Sequence, residues 1–93
     1  MLFRSAEVDH KNRFLLFPNP AENSVACKFD KGIHSVSVYN VLGEMLIHEE
    51  YAMIRPEAIL DIERLPEGIY TAEINSDAAR ERSVFIKSQK RNN

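Results

Sequence analysis

The side chains of this 93-residue chain that could do chemistry are few and scattered. His34 and His48 lie on two predicted strands that flank Gly43, so they could lie near each other. No carboxylate or cysteine stands at a spacing that would complete a metal site with them. Glu49 and Glu50 are adjacent, and adjacent residues of a strand point to opposite faces, so they cannot work as an acid–base pair.

Cys27 is the single cysteine, which excludes a disulfide within the chain. It alternates with Val25 and Phe29 as one face of a strand does, so we expect a small buried hydrophobic side chain rather than a reactive thiol. The sequence also lacks a nucleophile elbow, a glycine-rich phosphate loop and an H-E-x-x-H motif. We therefore predict no catalytic residue, no metal site and no cofactor.

Composition and charge are those of one small globular domain. Hydrophobic residues make up 44% and charged residues 28% of the chain, close to the average for globular proteins. A formal net charge of −2 disfavours nucleic acid or an anionic membrane as the main partner. There is no apolar run of membrane-spanning length, and the first residues lack the pattern of a secretory signal peptide. If the protein is exported, we expect its signal peptide on a longer precursor.

The elements that must position these side chains are predicted to be strands throughout. Short alternating runs separated by turn residues predict about seven strands and no helix, with a turn at 30–32 and a hairpin at 40–43. The economical fold is an all-β, antiparallel, immunoglobulin-like sandwich with Greek-key connections. We expect a leader or linker over residues 1–12, the sandwich over 13–88 and a basic tail over 89–93.

The last predicted strand covers residues 82–87. Its alternation places Val84 and Ile86 inward and Phe85 outward. An outward Phe85 leaves room for a contact patch along this outer strand, where a partner could also add a strand.

A corner between two strands is the clearest local motif. Pro66 and Gly68 suit the second and fourth positions of a type I turn that begins at Leu65. Tyr70 follows the glycine, as in the tyrosine corner of immunoglobulin-like sandwiches, where the hydroxyl bonds to upstream backbone. Because Pro66 has no N–H, we expect the partner to be a carbonyl.

Taken in order, four blocks of this sequence resemble the type A C-terminal sorting domain of the Bacteroidetes type IX (Por) secretion system. The resemblance covers residues 14–88, and the ordered set of blocks is far more specific than any one of them. The motif residues that carry it, in chain order, are Pro18, Asn19, Pro20, Tyr39, Asn40, Gly43, Asp61, Leu65, Pro66, Gly68 and Tyr70, followed by the basic–apolar strand 82–87.

The resemblance implies a non-catalytic domain that the type IX machinery recognises after its covalently attached cargo reaches the periplasm. The cargo then crosses the outer membrane to the cell surface, where in many members a sortase-like cysteine peptidase removes the domain. By position in the motif, the resemblance places the candidate recognition surface at Arg82, Ser83, Phe85 and Lys87. It implies neither a nucleic-acid partner nor a membrane span.

Two other classes of function remain open at this point. The first is a free-standing immunoglobulin-like binding or adhesion module for a protein or a carbohydrate. A carbohydrate site would need exposed aromatic residues, but the chain has no tryptophan, and only Tyr39 and Tyr51 are plausible outward tyrosines. The second is an enzyme, which would need a polar cluster in a concave pocket.

Overall fold

A computed structural model of the chain describes residues 14–77 and 79–89. The expected leader, 1–12, and the tail beyond residue 89 lie outside this part of the chain. The described residues form five strands: β1 (Phe14–Phe17), β2 (Ser24–Tyr39), β3 (Met45–Asp61), β4 (Gly68–Asn75) and β5 (Arg80–Lys87). None of them forms a helix that is long and apolar enough to cross a membrane. The prediction of an all-β, antiparallel fold is confirmed.

β2 is the centre of a single curled sheet. Its first half pairs with β1 and β3, its second half pairs with β3 and β4, and β4 pairs with β5, all antiparallel. Beyond the end of β1, Ala21 forms a parallel bridge with Lys87 of β5. The chain segment after β1 therefore meets the last strand, while in the described residues β3 pairs with β2 alone.

The predicted count of about seven strands is wrong, because two strands are twice as long as expected. β2 has 16 residues and β3 has 17. The turn expected at 30–32 does not interrupt β2: Gly32, with φ of +93°, lies where the pairing register shifts, between Lys28 and Ile33, and bends the strand without ending it. Pro56 likewise lies within β3, at the sheet edge, where a missing N–H removes no ladder bond. The seven-strand immunoglobulin-like sandwich is not confirmed.

The core lies between the two halves of the curled sheet. The predicted inward face of the first half of β2 is confirmed, since Val25, Cys27 and Phe29 are all fully buried. The contiguous run Met45-Leu46-Ile47 is explained by a bulge, since Met45 pairs with Tyr39 and Ile47 with Val38. The bulge leaves Ile47 against the core and the other two exposed. The larger fully buried side chains are Phe29, Phe85, Ile33, Leu60, Ile62, Ile74, Val25, Val36 and Val38.

The tyrosine corner is confirmed, but its turn lies three residues upstream of the predicted place. The Tyr70 hydroxyl donates to the Pro66 carbonyl at 2.5 Å. The hydrogen-bonded turn runs from Ile62 to Leu65, whose N–H donates to the Ile62 carbonyl at 3.0 Å, and not from Leu65 to Gly68. Gly68 instead opens β4 with a nearly extended φ of +158°. Just before the turn, the Asp61 carboxylate accepts the N–H of residue 63 at 3.0 Å. Leu65 is partly buried against the core.

Candidate recognition surface

The four residues expected on the recognition surface divide between the two faces of β5. Arg82 is exposed and Ser83 is partly buried, while Phe85 is fully buried and Lys87 is 5% exposed. The predicted orientation of this strand is therefore wrong. Phe85 pairs in register with Tyr70, and their rings stack with centroids 5.7 Å apart.

The outer face of β5 carries different side chains from those expected. Val84 is 53% exposed and Ile86 is 46% exposed. Beside them, Arg82 projects from the same face, because residues two apart in a strand point the same way. Of the four predicted residues, Arg82 is thus the one that a partner could contact most directly.

The Pro18-Asn19-Pro20 motif fixes the outer edge of β5. The two prolines are exposed and follow the end of β1, each after a cis peptide bond. The Asn19 side chain accepts from the Ile86 N–H at 2.9 Å and donates to the Val84 carbonyl at 3.4 Å.

Ala21 continues this pairing with its backbone. Its N–H donates to the Ile86 carbonyl, and its own carbonyl accepts from the Ser88 N–H, both at 2.8 Å. An amide side chain thus stands in for a peptide group in a short parallel ladder. The edge of β5 from Val84 to Ser88 is occupied, so an added strand cannot pair along its whole length.

A buried carboxylate organises the polar part of the outer face. Glu73, on β4, is 5% exposed. It accepts from Arg82 Nε at 2.9 Å and from the Tyr39 hydroxyl at 3.2 Å, and Arg80 Nε lies 3.9 Å away. Arg80 Nε also donates to the Asn75 side-chain oxygen at 3.1 Å. Charge-assisted hydrogen bonds compensate the desolvation of the carboxylate and hold Arg82 in one orientation.

The hairpin turn between β2 and β3 is held by its first residue. Asn40 Oδ1 accepts the N–H groups of Leu42 and Glu44 at 2.9 and 3.0 Å. The amide Nδ2 of Asn40 donates to the Glu44 carboxylate at 2.7 Å. Gly43 closes the turn with its N–H on the Asn40 carbonyl at 3.0 Å and has φ of +85°, a conformation that favours glycine. The turn leaves Val41 77% exposed and Leu42 79% exposed at its tip.

The turn and Arg82 line one surface groove of ≈ 340 Å³, which we call the hairpin groove. Two motif blocks that are far apart in the sequence meet there, the hairpin block and the last-strand block. Its lining residues are Tyr39, Asn40, Val41, Gly43, Thr71 and Arg82.

The histidines that were candidates for metal binding make separate contacts. The ring nitrogens of His48 lie 2.8 Å from Ser37 Oγ and 3.1 Å from the Glu50 carboxylate. His34 lies 2.7 Å from the Asp77 carboxylate. Within residues 14–77 and 79–89, no group of three or more His, Cys, Asp or Glu side chains could hold a metal ion.

Two features of this surface are absent from the sequence-based prediction. Glu73 alternates with the buried residues of β4, so its place in the strand indicates an exposed side chain. It does lie on the outer face, but Tyr39 and Arg82 cover it. The apolar pair Val41-Leu42 within a polar turn was a readable signal, since large aliphatic residues are unusual at a hairpin tip.

Comparison with known families agrees with the arrangement of these blocks. A family model described as "Secretion system C-terminal sorting domain" matches residues 15–88. A search of curated proteins found no match. The matched range contains β2 to β5 whole, β1 from its second residue, and each of the motif blocks described above. The chain belongs to the family of type IX secretion system C-terminal sorting domains.

Proposed function

We propose that this domain is a non-catalytic sorting signal. The type IX machinery recognises it and directs a covalently attached cargo protein across the outer membrane to the cell surface. Membership of the sorting-domain family supports a secretion-signal role. The observation that carries the finer proposal is the hairpin groove, where two motif blocks meet on an exposed surface.

The four motif blocks have two kinds of task in this proposal. The Asn19 block and the Tyr70 block are structural, because their side chains bond backbone groups of the domain itself. The hairpin block and the last-strand block supply the surface that the machinery reads. Of the residues expected on that surface, Arg82 is exposed on the outer face, whereas Ser83, Phe85 and Lys87 lie on the opposite face of β5 and support the strand.

The route follows from the same proposal. The precursor enters the periplasm, the domain engages the machinery there, and the cargo reaches the cell surface or the medium. A sortase-like cysteine peptidase is the proposed partner for removal of the domain after transport.

A reporter fusion tests the proposal. The full chain is placed behind a signal peptide and a reporter enzyme, in a host that exports a known member of the family. We expect the reporter on the surface of intact cells, and in the periplasm when the chain is omitted or the machinery is deleted. Periplasmic retention of the complete fusion, while the known family member is still exported, would overturn the proposal.

The alternative of a carbohydrate-binding module gains no support from the two tyrosines it would need. The Tyr39 hydroxyl is bound to the Glu73 carboxylate. The guanidinium of Arg55 lies over the ring of Tyr51, 4.5 Å from its centroid. One face of the Tyr51 ring is therefore covered and the Tyr39 hydroxyl is already bound, so no observation favours a sugar platform built on these rings.

A further inference from the structure

We infer that the hairpin groove and its tip bind a partner protein that presents an apolar pocket bordered by a carboxylate. Val41 and Leu42 enter the pocket, and the guanidinium of Arg82 binds the carboxylate. This inference rests on the proposed function and names the chemistry of the partner at that surface.

The tip is an apolar surface held in a fixed shape. Val41 and Leu42 are more than three-quarters exposed. The Asn40 side chain accepts the backbone N–H groups of Leu42 and Glu44, and Gly43 adopts the positive φ with which the turn closes. A rigid loop loses little conformational entropy on binding, so most of the free energy of burying two aliphatic side chains is available for affinity.

Arg82 supplies the polar half of the surface. Its Nε is bound to Glu73, which holds the guanidinium in place, and Arg82 lines the hairpin groove. Arg80 lies close to the same carboxylate. The two arginines balance the charges of Glu73 and of the exposed Glu44 beside the turn, so the positive charge that a partner can contact is the local one of the Arg82 guanidinium. A planar guanidinium fixed at Nε suits a two-point contact with a carboxylate.

The charge of the neighbouring strand favours a protein over a membrane. Glu44 follows the tip directly, and Glu49 and Glu50 lie further along β3, all exposed. These carboxylates repel an anionic bilayer surface. A protein pocket can place one carboxylate opposite Arg82 and apolar atoms opposite the tip, which a bilayer cannot do.

The apolar half is tested in the reporter fusion with the double variant Val41→Ser and Leu42→Ser. Its matched control is Met53→Ser with Ile59→Ser, which removes two aliphatic side chains that are 79% and 65% exposed on β3, away from the tip. We expect export to fall roughly tenfold or more for the tip variant and to stay unchanged for the control. Equal export by the two variants would overturn the inference.

The charge is tested with Arg82→Lys, Arg82→Gln and Arg82→Glu. We expect export to fall in that order, by about tenfold for the neutral variant and further for the reversed charge. Arg64→Glu, at an exposed arginine in the turn before β4, is the control and should be exported normally. If Arg82→Gln and Arg82→Glu lose export equally, the carboxylate contact is refuted. Thermal unfolding of each purified variant identifies losses of export that are due to misfolding. The tip variant does not touch the bond between Arg82 and Glu73, so its export tests the inference separately from the Arg82 variants.

A vesicle-binding experiment distinguishes a lipid partner from a protein partner. The purified chain is sedimented with zwitterionic and with anionic phospholipid vesicles. We expect no binding, and binding that depends on Val41 and Leu42 would overturn the choice of a protein partner. Failure of the wild-type fusion to be exported contradicts the proposed function, whereas export of all variants with the wild type contradicts this inference alone.

Discussion

The side-chain oxygen of Asn19 accepts the backbone N–H of Ile86 at 2.9 Å, across 67 positions of the sequence. The amide Nδ2 of the same side chain donates to the Val84 carbonyl at 3.4 Å. One asparagine thus ties the segment after the first strand to the edge of the last strand. The sorting motif at the start of the domain and the strand at its end are parts of one structural unit.

Replacing Asn19 with Ala should lower the free energy of unfolding by about 1–2 kcal/mol, because both bonds to β5 are lost. Asn19→Asp should cost less, since its carboxylate can still accept from the Ile86 N–H. Denaturant unfolding of the two variants checks this order. The control is Asn23→Ala, at an exposed asparagine of the same loop, and the prediction is wrong if that variant loses as much stability as Asn19→Ala.

Replacing Tyr70 with Phe should lower the free energy of unfolding by about 1 kcal/mol, since the hydroxyl bonds the Pro66 carbonyl in a partly buried corner. Tyr51→Phe removes a bond to the exposed Glu49 carboxylate instead. It should cost less, because water replaces a lost bond more easily at the surface. Equal denaturation midpoints for wild type and Tyr70→Phe would contradict a stabilising role for the corner.

Substitutions of two glycines should separate the cost of a positive φ from the cost of a steric clash with an added side chain. A Cβ on Gly43 would meet nothing within 4 Å, so Gly43→Ala should cost only the positive φ, about 1–2 kcal/mol. Gly43→Asn should cost less, because asparagine tolerates this region. Gly32→Ala adds a contact of 2.6 Å with the Ile54 side chain and should cost more than Gly43→Ala. Thermal unfolding measures all three, and the reverse order of the two alanine variants would refute the distinction.

Burial raises the pKa of the Cys27 thiol from 9.0 to about 12, with a smaller contribution from the charge of Glu49. The folded protein should therefore resist a thiol reagent at pH 8 and react only on unfolding. Between pH 9 and 12 the unfolded chain loses this proton while the folded chain keeps it, so stability should fall as pH rises.

Cys27→Ala removes that part of the pH dependence and is the matched comparison for the thiol. The pKa of Tyr51, raised to about 12 mainly by burial and by its bond to Glu49, contributes a similar loss in both proteins. An unchanged slope of stability against pH in Cys27→Ala would show that the thiol is not responsible.

Local patterns in the sequence predicted the local structure well. The carbonyl partner of the Tyr70 hydroxyl and the buried face of Cys27 follow from turn chemistry and from alternation over a few residues. In β5 the pattern failed, because Val84, Phe85 and Ile86 are all apolar and either alternation satisfies the strand. The register with β4 decides between them, and it places Phe85 against Tyr70.

Long-range features were beyond such patterns. The turn predicted at 30–32 does not end a strand, because Gly32 lies within β2 at a shift in the register, and Pro56 lies within β3 at an open edge. The position of Arg82 on the outer face follows from the strand, but its bond to Glu73 depends on the pairing of β4 and β5. The hairpin groove exists only once β2, β4 and β5 are assembled.

The two long strands have a mechanical consequence. β2 and β3 each run through both halves of the sheet, so neither half can unfold without breaking backbone hydrogen bonds of the other. The domain should therefore lose its structure in one all-or-none step under heat or under pulling force, with no half-folded species between. Under the proposed function, the secretion machinery would meet either the complete folded surface or none of it.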